Sequence, residues 1–188
     1  VPQLHTVRLD LVPATAAHLM AELESPAALA HALAIDVPRG WPPAPDLYDE
    51  DAIRHTLRWL HDHPDDADWG FYYLARRAAP GERRSLIGVG GFKGAPDEDG
   101  TVEVGYAVLD DQRRQGYATE AVLGWTQFAF AHPSVTRVIG QTLPSLAASI
   151  RVLEKAGFRP AGIGHDPGAP AGETVLRYEL VRSITRRL

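Results

Sequence analysis

The stretch LDDQRRQGYATEA, residues 109–121, constrains the fold more than any other part of the chain. It joins TVEVGYAVL, a run with strand character, to a helix-forming run that opens at Gly116, through a turn of acids, arginines and a glutamine. A strand that ends beside a helix N-terminus leaves several backbone N–H groups without intrahelical acceptors, at a positively polarised end. Such an end binds anions. Gly116 lets a ligand come close to the backbone, and Ala118 keeps side-chain bulk off the same surface. Arg113 and Arg114 can add charge-assisted bonds to phosphate oxygens. A plain strand-to-helix turn with solvated arginines has the same local composition, so local chemistry leaves both readings open.

Other phosphate loops are missing from the sequence. No G-x-x-x-x-G-K-[ST] occurs, and GVGGFKG at 88–94 departs from G-x-G-x-x-G at Lys93, with no good helix after it. Those glycines read as a strand with close backbone neighbours. Elsewhere, Val7, Leu9 and Leu11 alternate with Arg8 and Asp10 at strand period. Thr15 is placed to cap a helix carrying Leu19, Met20 and Leu23 on one side, and a second short helix follows Pro26. DVPRGWPPAPD is a loop, because its prolines fix φ and remove donors. Ile53, Leu57 and Leu60 recur at helical spacing. WGFYYLAR, SLIGVGGF and TVEVGYAVL are three successive strands, and helix, strand (TRVIGQTL), helix (AASIRVLEKA, closed by Gly157) and two further strands complete the order. The class is α/β, a mixed sheet with helices on both faces.

Composition removes several functions. A net charge of −5 lacks the basic face that nucleic acid needs, so no nucleic-acid partner is expected. The chain has no cysteine, which excludes disulfides and thiolate metal sites. No apolar run reaches the roughly 20 residues of a membrane span, and no signal pattern opens the chain, so a soluble cytoplasmic protein without membrane association is expected.

The motif residues resemble a known family. VEVGYAVLDDQRRQGYATEAV is similar to the acyl-CoA-binding motif of the GNAT acetyltransferase superfamily, a strand ending in E-x-G-Y followed by [RQ]-x-x-G-x-[GA] at the start of a helix. Arg113, Gly116 and Ala118 hold that pattern. GYATEA, SIRVLEKAGF further on and the opening VRLDLVPATAAHL resemble the branch containing ribosomal-protein N-terminal alanine and serine acetyltransferases. The resemblance implies one domain over residues 1–188, with a central, mostly antiparallel sheet of about seven strands. It implies acetyl-CoA as cosubstrate and no metal. The pantetheine arm would pair along Tyr106, Ala107 and Val108. The amides of Arg114, Gln115, Gly116, Tyr117, Ala118 and Thr119 would cradle the pyrophosphate, with Arg113 beside them. Two positions depart from the pattern. Leu146 in TLPSLAAS stands where the branch has Asn, and Leu153 stands where many members carry Tyr. A tyrosine acid is therefore not implied at that helix, and Ser149, which matches the branch's serine, is the candidate.

Acetyl transfer from a thioester needs an unprotonated amine, a polarised carbonyl and a proton for the departing thiolate. At neutral pH, deprotonation costs about 1 kcal/mol for an α-amine and about 4 to 5 kcal/mol for a lysine-like amine. Glu103 is the candidate base; the alternative is that it anchors the sheet or pairs with an arginine. Tyr106 is equally readable as a wall of the site, and Glu120 as structural. The acidic runs Asp46–Asp51, Asp62–Asp68 and Asp97–Asp99 could attract a cationic acceptor, though such runs more often read as simply solvated. Trp41 is either a lid or core packing. His61 and His63, at i and i+2, cannot share a helix face for a metal. The expected acceptor is a peptide or protein N-terminal amine. Acetylation of a polyamine or aminoglycoside and a non-catalytic acyl-CoA-binding role are the alternatives. Oligomeric state, monomer or homodimer, stays open.

Overall fold

The computed structural model describes residues 3–45, 48–78, 82–165 and 173–183. In chain order the elements are β1 (Leu4–His5), β2 (Leu9–Pro13), α1 (Ala16–Glu24), α2 (Pro26–Leu33), α3 (Glu50–Asp62), β3 (Phe71–Arg76), β4 (Ser85–Phe92) and β5 (Thr101–Val108), then α4 (Tyr117–Ala131), β6 (Arg137–Thr142), α5 (Ala147–Lys155), β7 (Arg159–Gly164) and β8 (Val175–Val181). They form one eight-stranded sheet in the order β1-β2-β3-β4-β5-β6-β8-β7. Every pairing is antiparallel except β5 with β6. The strand beyond the expected seven is β1, whose two residues are too few for periodicity to reveal.

The helices start where the side chains dictate. Thr15 and His18 form a reciprocal capping box at α1, Ser25 caps α2 with Pro26 in the first turn, and Asp49 caps α3 by accepting from the amide of Ala52. One acid of the Asp46–Asp51 run is thus a cap, and Asp97 accepts from the amides of Asp99 and Thr101 in its own turn. Asp46 lies outside the described residues. At the end of α5, Gly157 takes φ +91°, and the amide of Phe158 returns to the carbonyl of Leu153.

Both faces of the sheet are covered. Leu9, Leu11, Tyr72, Leu74 and Ile87 pack with Ala121, Val122 and Trp125 of α4 and Leu153 of α5. Tyr73, Ala75, Leu86 and Val89 pack on the opposite side with Leu19 of α1, Leu29 and Leu33 of α2 and Ile53 of α3. Successive residues of β3 therefore enter different cores, which is why FYYLAR reads as unbroken apolar sequence.

Three expectations need correction. Val7 precedes the strand and is 88% exposed, although Leu9 and Leu11 are buried as the alternation requires. Asp10, expected on a solvated face, is buried and paired with Arg77 at 2.8 Å, Arg84 at 3.0 Å and His5 at 2.8 Å. Sheet-face alternation says nothing about long-range cations that neutralise a buried acid. Met20 is exposed while Leu19 beside it is buried, so the apolar stripe of α1 is narrower than the sequence suggests. The glycine run of β4 behaves as read. A Cβ on Gly90 would lie 2.5 Å from the Trp125 ring and 2.6 Å from the carbonyl of Gly105, so its absence lets α4 seat on the sheet. No helix among the described residues is long and apolar enough to cross a membrane.

Candidate active site

The one parallel pairing in the sheet opens the site. β5 and β6 are in register only at Thr101↔Arg137, Val102↔Val138 and Glu103↔Ile139. On its other side β5 stays paired with β4 from Val104 to Val108. Beyond Glu103 the β6-facing edge of β5 therefore leaves the ladder, and its backbone groups lack strand partners on that side. An unpaired strand edge accepts an extended polar chain as an added strand would be accepted. Of the residues assigned to that edge, Tyr106 and Ala107 line a cleft of about 470 Å³, and Val108 closes the strand, buried. The cleft is also lined by Lys93, Glu103, Gln141, Leu146 and Ser149.

At the far end of β5 lies the Gly116 turn. Arg114 takes φ +63° and Gly116 takes φ +83°, both left-handed, with Gln115 between them. Left-handed residues in a turn are one ingredient of the backbone concavities that gather N–H groups. Gly116 is the N-cap of α4 and offers no side chain to the first-turn donors, so the amides of Tyr117, Ala118 and Thr119 have no cap. Arg113, Arg114, Gln115 and Gly116 are exposed, Ala118 and Thr119 are half-buried, and Tyr117 is buried. The two arginines differ. Arg113 folds back, its Nε donating to the carbonyl of Val108 at 3.3 Å and its Nη2 pairing with Asp110 at 2.7 Å. Arg114 makes no such ion pair among the described residues.

A third arginine, read in the sequence only as part of a strand's alternation, reaches this turn. Arg8, just ahead of β2, donates from Nη1 to the carbonyl of Gln115 at 3.0 Å, and its guanidinium lies 4.5 Å from the Tyr117 ring centroid. Its backbone N–H and its Nε donate to Glu120 at 2.6 and 2.7 Å, and the hydroxyl of Thr6 donates to the same carboxylate at 2.6 Å. Burial works against the Glu120 charge, but these hydrogen bonds and the Arg8 charge outweigh it and hold the carboxyl below its usual range. Glu120 is structural, as expected. Nothing local marks Arg8, because its partners lie more than a hundred residues away.

The two candidate catalytic residues sit in the cleft with partners. Glu103 forms an ion pair with Lys93 Nζ at 2.7 Å and accepts from Gln141 Nε2 at 2.8 Å, so its ionic partner is a lysine and not an arginine. Gln141 also donates to the carbonyl of His165, which fixes its amide. Ser149, in the first turn of α5, has its hydroxyl 3.1 Å from that of Tyr106, and the Tyr106 O–H also reaches the Ser149 carbonyl at 3.2 Å. Burial pushes the Tyr106 phenol up to about 12, against the Ser149 hydrogen bond, so it remains a donor at neutral pH. Tyr106 is therefore more than a wall, since its hydroxyl links β5 to α5 across the cleft. Leu146 is the N-cap of α5; its side chain makes no capping bond and is 47% exposed.

Tyr48, which lines the cleft, belongs to a cage around Glu22 that sequence reasoning missed. One oxygen of Glu22 accepts from Trp41 Nε1 at 2.6 Å; the other accepts from the hydroxyls of Tyr48 at 2.7 Å and Tyr73 at 2.6 Å. Burial first, and then neighbouring charge including that of Glu22, drive both phenols well above the ordinary tyrosine range, so they stay donors. Trp41 is thus packed and bonded, resolving the choice between lid and core in favour of core. Tyr48 stacks on Phe71 at 4.9 Å, and both line the cleft. His63 bonds the carbonyl of Trp59, and among the described residues no group of three or more His, Cys, Asp or Glu is arranged to hold a metal.

A splayed parallel pair, an amide-rich turn at the end of its motif strand and a helix seated on that strand define an acyltransferase class of fold. The family model described as "Acetyltransferase (GNAT) domain" matches residues 8–159, and the chain belongs to that family. The chain is 36% identical over 73 residues, 39% of its own length and 44% of the relative's, to the uncharacterised N-acetyltransferase YjdG of Bacillus subtilis strain 168. The aligned stretches span about half the length of the relatives they match. Among solved structures, a GNAT-family acetyltransferase from Bacillus anthracis superposes with a TM-score of 0.63 at 20% identity, covering 96% of this chain and 98% of that one. RimL, a ribosomal L7/L12 alpha-N-protein acetyltransferase solved with coenzyme A, superposes with a TM-score of 0.64 at 16% identity, covering 94% and 95%. At such identities the likeness is one of fold.

Proposed function

We propose that the protein is an acetyl-CoA-dependent N-acetyltransferase whose acceptor is the α-amine of a peptide or protein N-terminus. The observation that carries this is the course of β5: its edge leaves the ladder at Glu103, and five residues later the strand ends and leads into the Gly116 turn. A ligand with an extended amide-bearing arm and a pyrophosphate fits that sequence of features. Tyr106, Ala107 and Val108 take the arm, and the amides of Arg114 to Thr119, with the side chains of Arg113, Arg114 and Gln115 around them, take the phosphates. Coenzyme A has this form, and so does the RimL ligand.

In the reaction the neutral amine nitrogen attacks the thioester carbonyl carbon. The C–N bond forms and the C–S bond breaks. The proton lost by nitrogen passes to Glu103 through water, and the departing sulfur takes a proton from Ser149 Oγ, which is replenished from solvent. The Tyr106 hydroxyl holds Ser149 in place. An α-amine suits a base already engaged by Lys93 and Gln141, because its deprotonation is cheap. The test is turnover of acetyl-CoA with a panel of peptides and small amines. Peptide N-termini should be acetylated, and no turnover with any amine would leave only a binding role. Ser149→Ala should lower kcat by at most about 100-fold with acetyl-CoA KM little changed, since a thiolate is a tolerable leaving group. An unaltered kcat removes the acid role.

A further inference from the structure

We infer that Thr142 holds the arm of coenzyme A from the β6 side of the cleft, its hydroxyl donating a hydrogen bond to an amide carbonyl of the arm. This rests on the acyl-transfer reading above, in which the arm lies along β5. Thr142 ends β6, beyond the point where β6 parts from β5, and is paired there with Leu176 of β8. The residue is 6% exposed and lines the cleft, and its Oγ1 is buried with no hydrogen-bond partner among the described residues. Buried hydroxyls nearly always have a partner. The other hydroxyls described along the cleft do: Tyr48 donates to Glu22, and those of Tyr106 and Ser149 meet at 3.1 Å.

The strand period gives the direction of the Thr142 side chain. Gly140, two residues back, lies on the same face, and a Cβ there would sit 2.7 Å from Leu153 of α5. Tyr106 faces α5 as well, through Ser149. The two strands therefore present a bonded and an unbonded hydroxyl to one side of the split. An arm entering the split runs between β5 and the end of β6. Backbone groups of β5 can pair with one edge of its amides, as with an added strand. The groups on the other edge face β6 and need a partner there. Leu146, on the same cleft, has no polar side-chain atom to offer. A threonine hydroxyl can donate, and its β-branched stem holds it in few rotamers, so little freedom is lost in making the bond. Because that hydroxyl is already out of water, the bond brings no further desolvation of the donor.

The experiment measures Kd by calorimetry for coenzyme A and for 3′-phospho-ADP, which carries the nucleotide and its phosphates without the arm, in wild type, Thr142→Val and Thr142→Ser. Thr142→Val removes the hydroxyl and keeps the shape. It should weaken coenzyme A about tenfold and leave 3′-phospho-ADP unchanged, whereas Thr142→Ser should stay within about threefold of wild type on both. Without ligand, Thr142→Val should melt no lower than wild type, since no bond inside the protein is lost. An unchanged coenzyme A Kd in Thr142→Val, an equal loss on both ligands, or a loss in Thr142→Ser as large as in Thr142→Val overturns the inference while leaving acyl transfer intact. So does a Thr142→Val protein that melts lower or fails to fold, because the hydroxyl would then serve the fold. A wild type that binds coenzyme A no tighter than 3′-phospho-ADP shows that the split does not hold the arm, and overturns the inference. Wild type that binds neither ligand overturns the acyl-transfer reading and this inference with it.

Discussion

The two ends of the site are built in opposite ways. The turn at Gly116 is a piece of backbone: its surface consists of amides, two left-handed residues and a helix end, all within residues 113–119. The Tyr48 side of the cleft is a piece of side-chain architecture, in which Glu22 of α1 gathers Trp41 from a loop, Tyr48 from the approach to α3 and Tyr73 from β3. A backbone site tolerates variation in most of its side chains but not in the residue that shapes the chain. A side-chain site fails when its common acceptor is lost.

The largest expected effect tests the first half of that contrast. Gly116→Val places a β-branched residue at φ +83°, a conformation costing about 1–2 kcal/mol or more, and its Cβ would sit 3.4 Å from Arg8 Nη2 on the surface a ligand must approach. Acetyl-CoA affinity by calorimetry should fall at least about 100-fold, about 2.7 kcal/mol, in a protein that still melts cooperatively. Unchanged affinity in folded protein would show that the ligand does not use this turn. Next in size is Glu22→Ala, which strips the acceptor from three donors. With each unsatisfied buried donor costing about 1–3 kcal/mol, the variant should lose at least about 2 kcal/mol of stability in denaturant melts. Its KM for the acceptor peptide should rise, and its acetyl-CoA Kd should not. An equal loss in both would mean the two ends are not separable. The smallest effect is at their junction. Leu146→Asn gives α5 the N-cap it lacks and should raise stability by about 1 kcal/mol, a shift of about 2–4 °C in Tm. A lowered Tm would show that the exposed leucine packs better than it caps.

The same contrast decides what was legible in the sequence. The motif strand, its turn and the helix after it could be read because their chemistry is contiguous, and Gly116, Gly157, Thr15 and Pro26 act on their immediate neighbours. The order of strands and helices followed from periodicity, except for β1, whose two residues set no period. The burial of Asp10 escaped the alternation because a buried ion cluster depends on Arg77 and Arg84, far along the chain. Arg8, Glu22 and the Lys93–Glu103 pair are long-range for the same reason, or carry no pattern of their own. An acid on a surface-looking helix and a lysine after a glycine run look solvated until the sheet brings their partners beside them.

Arg8 gives the molecule one more property. Because a single side chain bonds the carbonyl of Gln115, the carboxylate of Glu120 and the face of Tyr117, the β1–β2 hairpin and the ligand turn are held in one unit. Free energies of two processes that share contacts are reciprocal. A ligand on the turn would therefore protect the β1–β2 hairpin from local opening, and fraying of that hairpin would weaken the hold on the ligand by the same factor.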